Sequence, residues 1–344
     1  MKLPTIRKLP SGNYFCQLRI DGKSISITER SEALCEAKAL AYKTGLLDAK
    51  KAALTSVTLR AAIDRYIKDR QTVLSPSTLR SYRTIQRTRF APIMDRPMGK
   101  IDGWQRIVSN EAKLCSPKTL KNSWLFIKSV LKENGISAPN VHLPQIQSNA
   151  HPFLEPEQIA AFIEAVKGEP CEIPALLALH SLRRSEIMGL AWKDIDLKAG
   201  TIKVNGSGVF DENNHFVYKT TNKNATSART LPIMIPELKT ALQNAISDGH
   251  IVNCNPNTLW AQINAVCRKN NLPLVGVHGL RHSFASLAYH LGLSEQETMT
   301  LGGWSDTQTM RKIYTHLAEK DRLKAENKLS LFFQNANGNA NENT

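Results

Sequence analysis

No apolar run in the 344 residues approaches the roughly 18 that a membrane-spanning helix needs, so the chain offers no candidate span. Its start, Met1 to Pro10, lacks the apolar stretch of a secretion signal, and the expected location is the cytoplasm, with no membrane partner. Cysteine is sparse: Cys16, Cys35, Cys115, Cys171, Cys254 and Cys267 form no C-x-x-C pair, which argues against a zinc site and a disulfide framework and leaves small buried hydrophobes as the expectation. There is no G-x-x-x-x-G-K-[ST] loop to cradle a nucleotide, and no carboxylate cluster of the kind two-metal nucleases require. The expectation is therefore an activity with no metal and no cofactor.

Charge is present, and it is uneven. Of a net +15, all the excess lies in the first half: residues 1–147 hold 26 Lys and Arg against 11 Asp and Glu, whereas residues 148–344 hold 19 against 19. A one-signed field confined to one region suits a polyanion, because each neutralised phosphate releases counterions. Hydrophobic content of 42% is ordinary for a globular protein, and this length suits two or three domains.

The pattern predicts a hairpin over Asn13–Thr28, where Tyr14, Cys16, Leu18 and Ile20 alternate with polar neighbours before Asp21-Gly22, and Ile25 and Ile27 resume the alternation. A helix capped by Ser31, with Leu34, Ala37 and Ala41 on one face, completes a small module over residues 1–54. Residues 55–138 read as four or five helices, with Leu59, Ile63, Tyr66 and Ile67 on one stripe and Leu79, Tyr82 and Ile85 on the next. Ser116-Pro117 opens a further helix carrying Leu120, Trp124, Ile127 and Leu131. The polar faces of two of these helices are basic: Arg80, Arg83 and Arg87 form one row, and Lys118, Lys121, Lys128 and Lys132 a second, each suited to a phosphate backbone. Ile136 to Ala150 reads as a linker. Beyond it come helices over Glu155–Val166 and Pro174–Leu190, strands over Thr201–Asn205, His215–Thr220 and Arg229–Ile235, and helices again from Pro236, so that residues 150–333 form a mixed α/β domain, mainly α with a small antiparallel sheet. The Asn-rich stretch 334–344 is expected to be disordered.

Five local patterns follow one another in the neutral half. They are Leu182-Arg183-Arg184-Ser185-Glu186-Ile187; Lys223 to Pro232, with Ser227 and Arg229 between; His278-Gly279-Leu280-Arg281-His282; Leu301-Gly302-Gly303-Trp304; and Ile313-Tyr314-Thr315-His316. An H-x-x-R pair alone is weak, but the ordered set resembles the catalytic domain of tyrosine recombinases, the integrases of phages and other mobile elements, over about residues 150–320. The basic helical region before it looks like that family's core-binding domain, and the N-terminal module resembles its arm-binding domains. Ser181 stands where a glycine usually precedes the Leu-Arg pair, and Gly303 with Trp304 makes the spacing to Tyr314 one residue longer than the family's.

The chemistry of the residues agrees with what the resemblance implies. Attack on a phosphodiester needs a nucleophile, cations on the non-bridging oxygens and a proton for the departing 5′ oxygen. Arg183 and Arg281 suit a guanidinium clamp. His278, three residues before Arg281, could accept the tyrosine proton or donate a hydrogen bond. The indole N–H of Trp304 can bond a phosphate oxygen but cannot move protons. Tyr314 would be the nucleophile, forming a 3′-phosphotyrosine that needs no ATP to rejoin. For the general acid both Lys219 and Lys223 come into question; the spacing of Lys223 to Ser227, Arg229 and Pro232 matches the family's pattern. Glu186, as the resemblance implies, orients Arg183. The expected activity is site-specific integration or excision of a mobile element, by a homotetramer on double-stranded DNA, with an excision or host DNA-bending factor as a further partner. The alternatives are a catalytically inactive DNA-binding regulator and a relaxing type IB topoisomerase.

Overall fold

The computed structural model describes residues 4–20, 23–44, 56–146, 152–219, 228–245, 247–304 and 307–338, apart from some side chains of the last helix. The chain divides into two compact units, residues 1–147 and 148–344. No helix among the described residues is long and apolar enough to cross a membrane.

The first unit opens with three antiparallel strands, β1 (Arg7–Lys8), β2 (Tyr14–Ile20) and β3 (Lys23–Glu29), in the order β1-β2-β3. Ile20 faces Lys23 and Tyr14 faces Glu29, so the inward set is Tyr14, Cys16, Leu18, Ile20, Ile25 and Ile27, as the alternation requires. The Asp21-Gly22 turn lies outside the described residues. Helix α1 (Glu32–Lys43) is capped by Ser31, whose hydroxyl accepts the Leu34 N–H. Its buried face is not the expected one: Cys35 and Ala39 face the sheet, with Tyr42 half-buried beside them, and Leu34 is 56% exposed. The small side chains let the helix lie close on the sheet, and the Cys16 and Cys35 thiols meet at 3.5 Å. All six cysteines are free, four of them buried.

A second hydrophobic cluster is built by α2 (Leu59–Lys68), α3 (Pro76–Thr88), α4 (Trp104–Glu111) and α5 (Pro117–Glu133). Leu59, Ile63, Ile67, Leu120, Ile127 and Leu131 are buried at helical spacing, and Tyr82 stacks on Phe126 with centroids 3.9 Å apart. Between α3 and α4 the fully buried Phe90 takes a left-handed conformation, φ 52°, and its N–H donates to the buried carboxylate of Glu111 at 3.0 Å.

The second unit is mainly helical with small antiparallel sheets. Helices α6 (Pro156–Val166) and α7 (Glu172–Leu179) lead into a short α8 (Arg184–Gly189). The stretch 174–190, expected as one helix, is broken at Ser181, which has φ 78°. The Leu182 N–H reaches back to Leu177 O at 3.0 Å and the Ser181 N–H to Ala178 O at 3.0 Å, a helix ending that usually takes glycine. Here a serine occupies it, and its hydroxyl donates to Gly302 O at 2.9 Å. Strands β4 (Ile195–Asp196), β5 (Thr201–Val204) and β8 (Arg229–Pro232) form one sheet, and β6 (Ser207–Phe210) pairs with β7 (Phe216–Lys219) in a separate hairpin. Neither β4 nor β6 was expected: β4 is two residues long, and Ser207-Gly208 carries little of the apolar alternation that marks a strand. The expected 215–220 and 229–235 strands are shorter, ending at Lys219 and Pro232, the former against residues outside the described set. Helices α9 (Pro236–Asn244), α10 (Pro256–Lys269), α11 (Val277–His290), α12 (Glu295–Gly302) and α13 (Thr307–Gly338) complete the unit. Helix α13 continues through residues 334–338, so the disorder expected from the Asn-rich composition does not begin at Gln334; residues 339–344 lie outside the described set.

Candidate active site

Breaking the chain at Ser181 swings Arg183 out of the helical path and makes it the residue before the first turn of α8. Glu186 then lies under it. The Arg183 backbone N–H donates to Glu186 Oε2 and its Nη1 to Oε1, both at 2.8 Å, so one carboxylate fixes backbone and side chain together. The other edge of the guanidinium, Nη2, donates to Gly303 O at 2.9 Å.

Arg281 reaches the same oxygen from α11, its Nη2 donating to Gly303 O at 3.3 Å while Nη1 donates to Ser181 O. Two guanidinium groups separated by nearly a hundred residues in sequence thus converge on one acceptor. Arg281 is 5% exposed, and burial, together with the charge of Arg183, pushes it down to about 9, which still leaves it protonated at neutral pH. Its guanidinium carbon lies 3.9 Å from the ring centroid of Trp304, and Phe284 stacks with the same indole, centroids 5.9 Å apart. Trp304 therefore serves here as a flat support for a buried cation.

The Gly302-Gly303 pair makes this packing possible. A Cβ on Gly302 would fall 1.8 Å from the Trp304 ring; one on Gly303, whose φ is 62°, would fall 2.1 Å from Arg229 Nε. Arg229, the first residue of β8, carries no signal in the sequence beyond its spacing in a motif. Its Nη1 and Nη2 donate to Glu186 Oε1 and Oε2, each at 3.0 Å. Burial pushes the Glu186 carboxyl up, but the bonds and charge of Arg229 and Arg183 outweigh it and hold the group below the ordinary glutamate range.

The remaining candidates are placed as follows. His278 is exposed in the first turn of α11, three residues before Arg281. Tyr314 is in the second turn of α13, half-buried, with its hydroxyl 2.5 Å from Thr298 Oγ1 and donating to Leu293 O at 3.1 Å; no bond joins it to either arginine. Burial raises its phenol; the Thr298 bond acts the other way, and the charges of Glu295 and Glu297 add to the rise. Lys219 ends β7, half-buried, whereas Lys223 lies outside the described residues. In the first unit, Lys118, Lys121, Lys128 and Lys132 are all exposed on α5. The α3 row is less open: Arg87 is exposed and Arg80 half-buried, while Arg83 is paired with Asp64 of α2 and bonded to Gln86 at 3.0 Å. The role of Thr298 carries no signal in the sequence, since its partner is sixteen residues away on another helix.

A guanidinium pair around one acceptor oxygen, one of the two lying over an indole, is an arrangement suited to an anion such as a phosphate. The family model for phage integrases matches residues 152–321. A protein described as tyrosine recombinase XerC-like, from Caldanaerobacter subterraneus subsp. tengcongensis, is 25% identical over 263 residues, covering 63% of this chain and 67% of its own. Among solved structures, the Tn1549 transposon integrase in complex with transposon right end DNA has a TM-score of 0.59 at 18% identity, over 78% of this chain and all of that one. A lambda integrase dimer bound to a COC′ core site has a TM-score of 0.56 at 16% identity, over 91% of this chain and 95% of that one. The chain belongs to the phage integrase family; it is a tyrosine recombinase, an enzyme of site-specific DNA recombination.

The buried carboxylate gives the site an acid limit. A glutamate whose folded pKa lies below its unfolded value contributes stability in full above the unfolded value, about 4.3, and loses it as pH falls through the lowered one. Glu186→Gln is expected to unfold at lower urea concentration than wild type at pH 7, with the gap narrowing as pH falls from about 5 toward 3; a gap constant over that range would show that the charge of Glu186 contributes nothing.

Proposed function

We propose that Tyr314 attacks a DNA phosphodiester held by Arg183 and Arg281, leaving a 3′-phosphotyrosine that a second strand's 5′ hydroxyl resolves. The observation that carries this reading is the meeting of both guanidinium groups at Gly303 O: a phosphate oxygen can take the place of that carbonyl, and it offers the full negative charge that two adjacent cations lack. The tyrosine must first release its bonds to Thr298 and Leu293, and with burial raising its pKa it needs a base and the nearby cations to become a nucleophile. On this reading His278 accepts the phenolic proton or bonds the phosphate, Trp304 supports Arg281 and donates to the phosphate, and Lys223 is the acid that protonates the leaving 5′ oxygen. An ammonium suits the last task, being protonated at pH 7 and able to give up its proton to an alkoxide.

One assay separates these roles. On a nicked suicide substrate, Tyr314→Phe is expected to bind DNA like wild type and to form no covalent adduct. Lys223→Ala is expected to cleave slowly and to recover when sulfur replaces the bridging 5′ oxygen, since a thiolate leaves unprotonated. Adduct formation by Tyr314→Phe would overturn the nucleophile assignment, and rescue of Lys219→Ala instead would move the acid to Lys219.

The same reading places the DNA duplex against the exposed lysines of α5, and accessory DNA against the outer face of the N-terminal sheet, where Gln17 and Arg19 stand opposite Ser26 and Ser24. It takes recombination to be the work of a tetramer, with an excision or DNA-bending factor as a further partner. Support for contacts in trans comes from α13, where Leu323 and Leu329 are 53% and 58% exposed. Two truncations test these assignments. Removing residues 1–54 is expected to spare cleavage of a short core site and to impair recombination between full-length sites, and stopping after Glu319 is expected to weaken assembly on DNA in sedimentation. Equal recombination by the first, or equal assembly by the second, would remove the corresponding role.

A further inference from the structure

We infer that Arg229 is a positioning residue for cleavage, keeping Glu186 occupied so that Arg183 presents its Nη2 edge to the scissile phosphate. The inference rests on the reading of Arg183 and Arg281 as the phosphate clamp. Each oxygen of Glu186 carries two donors: Oε1 takes Arg183 Nη1 at 2.8 Å and Arg229 Nη1 at 3.0 Å, and Oε2 takes the Arg183 backbone N–H at 2.8 Å and Arg229 Nη2 at 3.0 Å. Arg229 thus holds the carboxylate fork to fork, and its side chain is only 12% exposed. Arg183 keeps a single side-chain bond to Glu186, and its Nη2 is left for Gly303 O.

Without Arg229 the balance changes. A carboxylate that is 3% exposed and has lost two charged donors takes the nearest replacement, and Arg183, a third of whose side chain is exposed, has a second edge to offer. Arg183 then closes on Glu186 with both edges and withdraws Nη2 from the phosphate position. Arg229 also lies against Gly303, at the point where a Cβ would be 2.1 Å from its Nε, so it buttresses the backbone whose carbonyl sits between the two clamp arginines. Lysine cannot substitute, because one ammonium cannot hold both oxygens in the plane of the fork.

The variants Arg229→Lys and Arg229→Ala test this on the full chain with a suicide substrate that wild type converts to a covalent adduct. For Arg229→Lys, which keeps the charge and the stem, affinity in gel shift and melting temperature are expected to stay near wild type while single-turnover cleavage falls about 10-fold. Arg229→Ala is expected to fall further, toward about 100-fold, as a displacement of roughly 1 Å at a reacting group does. Glu186→Gln added to Arg229→Lys is expected to be no slower than the slower single variant, because both act through one contact. Arg229→Lys cleaving at the wild-type rate, or a double variant showing the product of the two single losses, would overturn the inference. Absence of an adduct with wild type would instead count against Tyr314 chemistry and leave nothing for Arg229 to position.

Discussion

Three guanidinium groups meet around one carboxylate. Arg183, Arg229 and Arg281 are brought together from three separate segments, and Glu186 is the anion bonded to two of them. Burying like charges side by side is unfavourable, and the lowered Arg281 pKa expresses that cost. The surroundings are arranged to tolerate it: an indole face covers one cation, two backbone carbonyls accept its donors, and a left-handed serine and two glycines bring those carbonyls within reach. What the cluster lacks is a second negative charge. On the proposed reading a phosphodiester supplies it, and more so as charge builds on its oxygens during attack, so that the unfavourable resting arrangement would favour the transition state over the empty site.

The proposed nucleophile, Tyr314, has its hydroxyl bonded away from that cluster in the same unit. Tyr314 spends its hydroxyl on Thr298 and the Leu293 carbonyl, its ring meets Tyr289 edge to face at 5.3 Å, and burial raises its pKa. A phenol in this setting gives up its proton less readily than a free one, and the phenolate is the stronger nucleophile. On the proposed reading, attack by Tyr314 requires these two bonds to be exchanged.

The candidate site residues were legible in the sequence where they belong to short motifs. Arg183, His278, Arg281, Trp304 and Tyr314 each sit in a local pattern, and the inward faces of the first hairpin and of α2 and α5 followed from periodicity. What was not legible depends on contacts far apart in the chain. Arg229 was visible only as part of a spacing, because its partner Glu186 lies 43 residues away. The break at Ser181 was hidden because nothing local in Ala-Leu-His-Ser-Leu opposes a helix; the bond from its hydroxyl to Gly302 O, 121 residues on, stabilises the turn. The face of α1 was misjudged because its two leucines, Leu34 and Leu40, are exposed while the small Cys35 and Ala39 pack inward. Composition likewise could not anticipate that α13 runs on into the Asn-rich stretch.

The claim on which the rest depends is that Arg183 and Arg281 act by neutralising charge on the phosphate. It is tested most directly by comparing cleavage of a normal scissile phosphate with cleavage of a methylphosphonate at the same position, for wild type, Arg183→Ala and Arg281→Ala. With the oxygen's charge removed, the penalty of losing either arginine is expected to shrink by at least about 10-fold, the equivalent of roughly 1.4 kcal/mol of transition-state stabilisation. An equal penalty on both substrates would mean that the arginines hold the fold or the DNA and not the charge of the reacting phosphate.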